Sequence, residues 1–472
     1  MNKVLQHDLD AIDQLLEKAL GEGLSYLNNL DNIPTSVEEP HTSGGGLSCV
    51  GSGSLHALQE FKRRFADIMV ASSGPRYLGF VTGGVTPAAL IGDMLVSMYD
   101  QNTQKLSGHG DISARIELET IQMLLDLFEL PASFIGGFVT GATMSNFTCL
   151  AVARQWLGCK HNHNIAKEGV AGKLKIIAST PHSSILKSLS MLGLGRQSIT
   201  YVNPLEGDRE AMDIDKLEEC IKSLNGEPFI LISSGGTVNS VDYDDMKAIA
   251  ALKSTYDFWW HVDAAFGGFA VLSDEHKHLL NGWEEADSIT VDAHKWLNVP
   301  YESAFFFVKE CYRHRQIETF QNADAPYLGE DKEHFNYLNL LPENSRRFKA
   351  LPAWFTLKAY GRKGYEDIIS NNIRLARHLG QFIDGSEFFE LLAPVRLNTV
   401  CFTLRDGHDP YRVEAFVDEL NKGGKVFMTP TVFKGRHGVR AAFVNWRTTD
   451  IDLRIIEDEM LIACNKISVV WF

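Results

Sequence analysis

The sequence predicts an α/β protein: a mainly parallel seven-stranded sheet with helices on both faces, followed by a smaller α+β domain at the C-terminal end. Three observations support this fold class. Short apolar segments alternate with helix-like segments from about residue 134, polar side chains follow several of these segments, and the pattern changes after about residue 341. Such alternation is typical of a parallel sheet whose ligand lies at the carboxyl ends of the strands.

Length, composition and charge narrow the class of protein. The 472 residues allow two or three domains, and 44% hydrophobic with 22% charged residues is a globular profile, not a disordered or fibrous one. A net charge of -15 argues against nucleic acid as a partner. The seven cysteines are scattered and never form a C-x-x-C pair, which indicates reduced thiols and no zinc site. Without a membrane-length apolar run or a signal peptide pattern, we expect a cytoplasmic protein that does not bind membranes.

The first predicted unit, residues 1–85, begins with an amphipathic helical segment. Apolar residues recur there at steps of three or four, at Leu5, Leu9, Ile12, Leu16 and Leu20. This segment is too isolated to have a core of its own, so we expect it to pack on another part of the molecule, often a second subunit. A Gly/Ser-rich loop at 42–54 follows, and its Gly51-Ser-Gly53 lacks the preceding strand and third glycine of a dinucleotide site.

The second unit, residues 86–345, contains the predicted sheet. Its strands are expected at 134–140, 175–180, 199–202, 229–233, 258–264, 288–291 and 304–308, with helices at 146–157, 184–192, 214–224 and 246–254. The third unit, residues 346–472, is predicted to contain helices at 352–360, 367–382 and 449–464 and strands at 399–404 and 439–444.

Polar residues at the strand ends are the strongest chemical signal. Asp263 ends one near-continuous apolar strand, His294 and Lys295 follow another, and His182 follows a third. A buried Asp or Lys is costly without a partner. A structural ion pair between Asp263 and Lys295 is therefore one interpretation, and a catalytic pair is the other.

Two further strand ends favour the catalytic interpretation. Ala142 and Thr143 open a helix after a glycine, where free N–H groups and the helix dipole favour a phosphate, and Thr237 adds a hydroxyl. A phosphate cradle, an imidazole, a carboxylate and a lysine together suit pyridoxal 5'-phosphate (PLP), which needs a lysine for its aldehyde and an acid for its ring nitrogen. The 32 residues from Asp263 to Lys295 fit one strand, one helix and the next strand.

These motifs resemble a known family. His261-Val-Asp263-Ala-Ala265, with Asp292-Ala-His294-Lys295-Trp296-Leu-Asn298, is similar to the group II PLP-dependent amino acid decarboxylases, which include aromatic-L-amino-acid and glutamate decarboxylases. The similarity extends from Pro75 to Thr449. It implies the fold-type I PLP-dependent transferase fold, a homodimer with active sites at the subunit interface, and α-decarboxylation of an L-amino acid to an amine and carbon dioxide.

The resemblance also implies a role for each motif residue. Lys295 would be the Schiff-base lysine and Asp263 the partner of the pyridinium nitrogen, with Ala265 and His182 on opposite faces of the ring. The other implied cofactor contacts are Ala142, Thr143 and His294 at the phosphate, and Thr237 near the ring substituents.

A mobile catalytic loop is implied at 317–338. Its Tyr327 would protonate the carbanion left by carbon dioxide, and Phe80 and Thr82 would lie on the substrate side. Other PLP chemistry (transamination, carbon–sulfur cleavage or aldehyde formation) and an inactive binding protein remain as alternatives. We expect the histidine pairs at 161/163 and 276/278 to be solvated, with no metal bound, and Arg346-Arg347 to have a structural role more than a substrate contact.

Overall fold

The structure is a computed structural model that describes residues 2–38, 46–106, 111–322, 335–405 and 409–470. Its N-terminal helices are α1 (Lys3–Asp10), α2 (Ile12–Asn28) and α3 (Ser54–Arg64). The predicted amphipathic segment is thus two helices, interrupted at Ala11. Its apolar stripe is not covered by the described part of the chain, since the six large apolar side chains from Leu5 to Leu24 are 46–63% exposed.

The seven-stranded sheet is confirmed, and every predicted strand overlaps an observed one. The strands are β1 (Phe134–Val139), β2 (Ile176–Ala178), β3 (Ile199–Tyr201), β4 (Phe229–Ser234), β5 (Phe258–Asp263), β6 (Ser288–Asp292) and β7 (Ala304–Lys309). Their order is β1-β7-β6-β5-β4-β2-β3. Only β7 runs antiparallel to its neighbours, so the carboxyl ends of the other six strands lie at one edge.

Helices cover both faces of this sheet. They are α4 (Pro87–Tyr99), α5 (Ser113–Leu127), α6 (Ala142–Lys160), α7 (Ile165–Glu168), α8 (Ser183–Met191), α9 (Ile214–Ser223), α10 (Met246–Lys253) and α11 (Arg313–Phe320). Side chains alternate between the two faces, as the strand period requires. In β5, Trp260 and Val262 enter one hydrophobic core and Trp259 enters the other.

One predicted connection differs. The link from β5 to β6 contains three short 3-10 helices, at Gly267–Leu272, Lys277–Leu280 and Trp283–Glu285, where a single helix was expected. Gly267 explains part of this geometry, because a Cβ there would lie 1.9 Å from the carbonyl oxygen of Gly235. The chain must therefore stay close to the sheet edge as it leaves Asp263.

The C-terminal region is α+β, as predicted. Its helices are α12 (Ala350–Asp384), α13 (Pro410–Lys422) and α14 (Asp450–Val470). Its antiparallel sheet has the order β10-β11-β9-β8, from strands β8 (Phe389–Leu391), β9 (Thr399–Leu404), β10 (Thr429–Phe433) and β11 (Arg436–Ala442). The two predicted helices at 352–360 and 367–382 form α12, which is kinked at Gly361 with a φ of 58°.

Hydrogen bonds and an ion pair join the chain before residue 85 to the C-terminal region. Thr35 N donates to the Gly424 carbonyl, Leu78 N donates to the Phe427 carbonyl, and Arg76 forms a buried ion pair of 2.9 Å with Asp452. Residues 76–84 are thereby held where the two sheets meet. Among the described residues, no helix is both long and apolar enough to cross a membrane.

Candidate active site

Lys295 lies in the link between β6 and β7. Its Nζ is 3.0 Å from Asp292 Oδ2, and the ammonium lies 5.5 Å from the centre of the Phe266 ring. The lysine is therefore paired with the carboxylate three residues before it. The interpretation of a structural ion pair between Lys295 and Asp263 is wrong.

Asp263 ends β5 and is buried. One carboxylate oxygen accepts from Asn146 Nδ2 at 3.0 Å, and the other accepts from the Ala265 amide at 3.2 Å. Its register partners are Ser234 on β4 and Thr290 on β6, so Asp263 stands at the middle of the carboxyl edge of the sheet.

One cavity of about 400 Å³ connects these residues. Six of the predicted site residues line it: Ala142, His182, Thr237, Asp263, Ala265 and Lys295. Glu210, Asn239 and Arg440 also line it and were not predicted. The Arg440 Nε atom is buried and has no hydrogen-bond partner among the described residues.

His182 caps the start of α8. Its Nδ1 atom accepts from the Ser184 amide at 3.2 Å and lies 2.8 Å from Ser184 Oγ. Desolvation in the cavity wall lowers the pKa of His182, and the nearby charges of Lys295 and Arg440 lower it further, against the opposing effect of Asp263. The ring is therefore neutral near pH 7.

The start of α6 faces the lysine link. The Ala142 amide donates to Asp292 Oδ1 at 2.6 Å, so this carboxylate occupies part of the positive helix end where a phosphate was expected. His294 lies beside it, with Nε2 3.6 Å from Asp292 Oδ1. A Cβ at Gly141 would be 3.5 Å from the His294 ring. Burial lowers the pKa of His294.

Two other predicted residues, Thr237 and Thr82, have contacts that the sequence did not indicate. The Thr237 hydroxyl donates to Glu210 Oε2 at 2.7 Å. Thr82 Oγ1 is 3.3 Å from the Tyr301 hydroxyl, and the Tyr301 ring lies 4.3 Å from that of His294. Phe80 is 59% exposed. Thr143 and His294 flank the cavity and are not among the residues that line it.

Comparison with known proteins identifies the family. A family model described as "Pyridoxal-dependent decarboxylase conserved domain" matches residues 54–405. The chain belongs to this family. It is 26% identical to an aromatic-L-amino-acid decarboxylase of Bacillus atrophaeus, over 99% of this chain and 98% of the relative. It is 28% identical to an L-2,4-diaminobutyrate decarboxylase of Acinetobacter baumannii, over 79% and 75%.

Solved structures share the fold of this decarboxylase. A Catharanthus roseus tryptophan decarboxylase in complex with L-tryptophan superposes with a TM-score of 0.86 at 20% identity, covering 97% of this chain and 98% of that one. A Rhodiola rosea 4-hydroxyphenylacetaldehyde synthase gives 0.85 at 18% identity, covering 98% and 99%. The predicted fold-type I architecture is therefore confirmed.

PLP is the cofactor of this decarboxylase family, and the cavity fits it. Its volume is in the usual range for small-molecule sites. A lysine amine, a carboxylate and an α-helix start lie around the same space, as the aldehyde, ring nitrogen and phosphate of PLP require. When bound, PLP supplies an electron-accepting ring to the decarboxylase.

The remaining predicted residues have different outcomes. Tyr327 lies outside the described residues. Arg346 is buried and donates to Glu117 Oε1 at 2.6 Å and to the Phe138 carbonyl at 2.8 Å, as expected for a structural residue.

The surface position expected for His276 is wrong. The ring is only 6% exposed, since it lies between Ser273 Oγ, at 2.8 Å, and Arg377. His163 lies in a partly exposed turn, with Nε2 2.7 Å from the Gly169 carbonyl. No cluster of three or more metal-binding side chains occurs in the described ranges.

Sequence reasoning missed the residues behind the cavity wall. Asn146 is fully buried and contacts both Asp263 and His261. Its position could have been found, because it follows Ala142 by four residues and so lies on the same face of α6. His261 was quoted in the motif without a role, and burial lowers its pKa to about 4.

Proposed function

We propose that this enzyme removes the α-carboxylate of an L-amino acid and releases the corresponding amine as its main product. The observation that carries the proposal is that Lys295 and Asp263 line one cavity beside the start of α6. Arg440 supports it, because an unpaired guanidinium nitrogen in the cavity wall can receive a carboxylate.

Each residue is assigned a role from its position around the cavity. Among the described residues, Asp292 is the carboxylate within ion-pair distance of Lys295, and it holds the amine near the start of α6, where the lysine would bind the aldehyde of PLP. Asp263 accepts hydrogen bonds from two donors and would hold a proton on the ring nitrogen of PLP. His182 and Ala265 would contact the two faces of the ring, and Phe80 and Thr82 are proposed on the substrate side.

The proton that completes the reaction is assigned to Tyr327. A phenol near the substrate would supply the proton, which favours the amine over the reaction with dioxygen that gives an aldehyde, ammonia and peroxide. Tyr327→Phe should still bind PLP and release carbon dioxide, with amine formation slowed about 10²- to 10⁴-fold. Aldehyde and peroxide should rise in that variant. Amine formation at the wild-type rate would contradict this assignment and make His182 the next candidate.

The central test is spectroscopic and chemical. The purified enzyme should show the visible absorption of lysine-bound PLP, which Lys295→Ala should lose while Lys309→Ala, a partly exposed lysine paired with Glu285, keeps it. A screen of the common amino acids should detect carbon dioxide and amine in equal amounts with at least one of them. A protein that cannot be loaded with PLP, or that makes aldehyde as its main wild-type product, would contradict the proposal.

We also propose that the enzyme is a homodimer in the cytoplasm. The exposed stripe on α1 and α2 supports a dimer, because an apolar helix face of this length gains stability when a second surface covers it. Light scattering should give twice the chain mass. Leu9→Glu on α1 with Leu16→Glu on α2 should weaken that dimer, whereas Glu17→Gln, also on α2, should not. A stable, active monomer would refute the dimer.

A further inference from the structure

A continuous hydrogen-bond chain runs behind the cavity from β5 to α8. Trp259 Nε1 donates to Ser288 Oγ at 2.9 Å, and Ser288 Oγ lies 2.9 Å from His261 Nδ1. His261 Nε2 is 2.9 Å from Asn146 Oδ1. Asn146 Nδ2 is 3.0 Å from Asp263 and 3.1 Å from Ser184 Oγ, which reaches His182.

The groups that can only donate or only accept determine which atom is the donor in each hydrogen bond. A carboxylate only accepts, so the amide nitrogen of Asn146 faces Asp263 and the amide oxygen faces His261. His261 must then carry its proton on Nε2, and its Nδ1 accepts from Ser288, whose oxygen already accepts from an indole N–H.

The same logic applies on the cavity side. Ser184 Oγ accepts from Asn146 and lies 2.8 Å from His182 Nδ1, so it can donate its own proton to that nitrogen. The Ser184 amide donates to the same nitrogen, which gives His182 Nδ1 two donors and leaves no room for a proton. Because the Ser184 amide can only donate, Nδ1 is the unprotonated nitrogen of His182, and the hydroxyl contact is consistent with this tautomer.

We propose that Asn146 and Ser184 are positioning residues that fix His182 as the neutral tautomer with its proton on Nε2. His182 is then a hydrogen-bond donor toward the cavity and not a base. One N–H of Asn146 donates to Asp263 and the other donates to Ser184. A single side chain therefore orients the carboxylate and, through Ser184, the imidazole of His182. The consequence for catalysis rests on the proposed function, whereas the tautomer can be tested without it.

Several charged groups face His182 and affect its protonation. Asp263 and Asp292 favour the charged ring, and Lys295 and Arg440 disfavour it. The same four charges are present in every variant below. A change in the pKa of His182 that appears only when a hydroxyl is removed is therefore caused by the loss of that hydroxyl.

The test uses the PLP-free protein with ¹⁵N-labelled histidine, and His182→Gln identifies the signal. Near neutral pH, Nδ1 should have the nitrogen shift of an unprotonated ring atom and Nε2 that of a protonated one. A protonated Nδ1, or rapid exchange between the tautomers, would overturn the proposal even if the enzyme proves to be a decarboxylase. If the spectrum is as expected but the enzyme decarboxylates no amino acid, only the proposed function is refuted.

Variants test the two positioning residues. Ser184→Ala removes one donor to Nδ1 and should strengthen proton binding to His182 about tenfold. Ser184→Thr keeps the hydroxyl and should keep the wild-type proton affinity. Ser190→Ala, exposed on the same helix, is the matched control. If Ser184→Ala does not fold, Ser184→Cys, a weak donor, should give an intermediate shift. An unchanged titration in the folded variant would overturn the assignment.

Asn146→Ala frees the Ser184 hydroxyl to turn toward Asp263, so it should shift the His182 titration in the same direction. Added to Ser184→Ala it should cause no further shift, because both act through one hydroxyl. It should also weaken PLP binding about 10- to 100-fold through Asp263. Asn398→Ala, a buried asparagine that does not line the cavity, is the control. Additive shifts would refute a role through Ser184.

Discussion

The buried imidazole of His261 predicts a specific loss of stability in mild acid. The ring is fully buried between Asn146 and Ser288, and desolvation lowers its pKa to about 4 from the ordinary 6.5. Between these two values the unfolded chain binds a proton that the native protein excludes. The stabilising contribution is therefore complete above pH 6.5 and is lost as the pH falls toward 4.

The magnitude follows from the two values. From pH 7 to pH 5 the difference in proton binding removes about 2 kcal/mol, since each pKa unit is worth about 1.4 kcal/mol. In His261→Gln the side-chain amide can still donate to Asn146 Oδ1 and does not titrate, so this part of the pH dependence should disappear. His261→Asn is a second variant should glutamine pack poorly.

The assay is equilibrium urea unfolding of the PLP-free protein at pH 7 and pH 5, at one protein concentration because a dimer's stability depends on it. His161→Gln, on an exposed turn, is the matched surface control and should behave as wild type. The reasoning is refuted if wild type and His261→Gln lose the same free energy of unfolding between the two pH values.

Two further changes test the packing around the site. Gly83→Ala places a Cβ 1.7 Å from the carbonyl oxygen of Lys295, so it should shift the lysine and weaken PLP binding, measured by absorbance titration, whereas Gly21→Ala, with open space around it, should not. Arg346→Met leaves the Glu117 carboxylate buried without its partner and should lower the free energy of unfolding by about 3–5 kcal/mol. A thermal or urea midpoint equal to that of wild type would contradict the second prediction.

The parts of the fold that a local pattern determines were predictable. Strand β5 is a continuous apolar segment, so its position and the carboxylate at its end followed from the sequence. Strand β8 has three residues and β10 contains Pro430, so neither has a clear period, and both were missed. The predicted strand at 439–444 lies at 436–442, because its polar first residues pair with β10.

The site was predictable in composition and less so in its contacts. Lys295 and Asp263 were placed at adjacent strand ends, yet the pairing of the lysine with Asp292 depends on the conformation of the link after β6. The burial of His276 depends on Arg377, which is distant in sequence. The spacing of Asn146 from Ala142 places it on the cavity side of α6, but its contacts with Asp263 and His261 depend on how α6 packs against β5. These contacts are set by tertiary packing, which one sequence does not display.

The antiparallel strand β7 has a consequence for redesign of the enzyme. Because β7 pairs with β6, the link 293–303 that carries Lys295 closes a hairpin, with the amides of Ala293 and His294 both donating to the Ser303 carbonyl. The length of this link therefore also sets the register of two central strands. Since a one-residue slip exchanges the two faces of a strand, an insertion or deletion here that shifts the pairing would move each side chain of β7 from one core to the other. Redesign of this site can therefore substitute residues of the lysine hairpin but should keep its length.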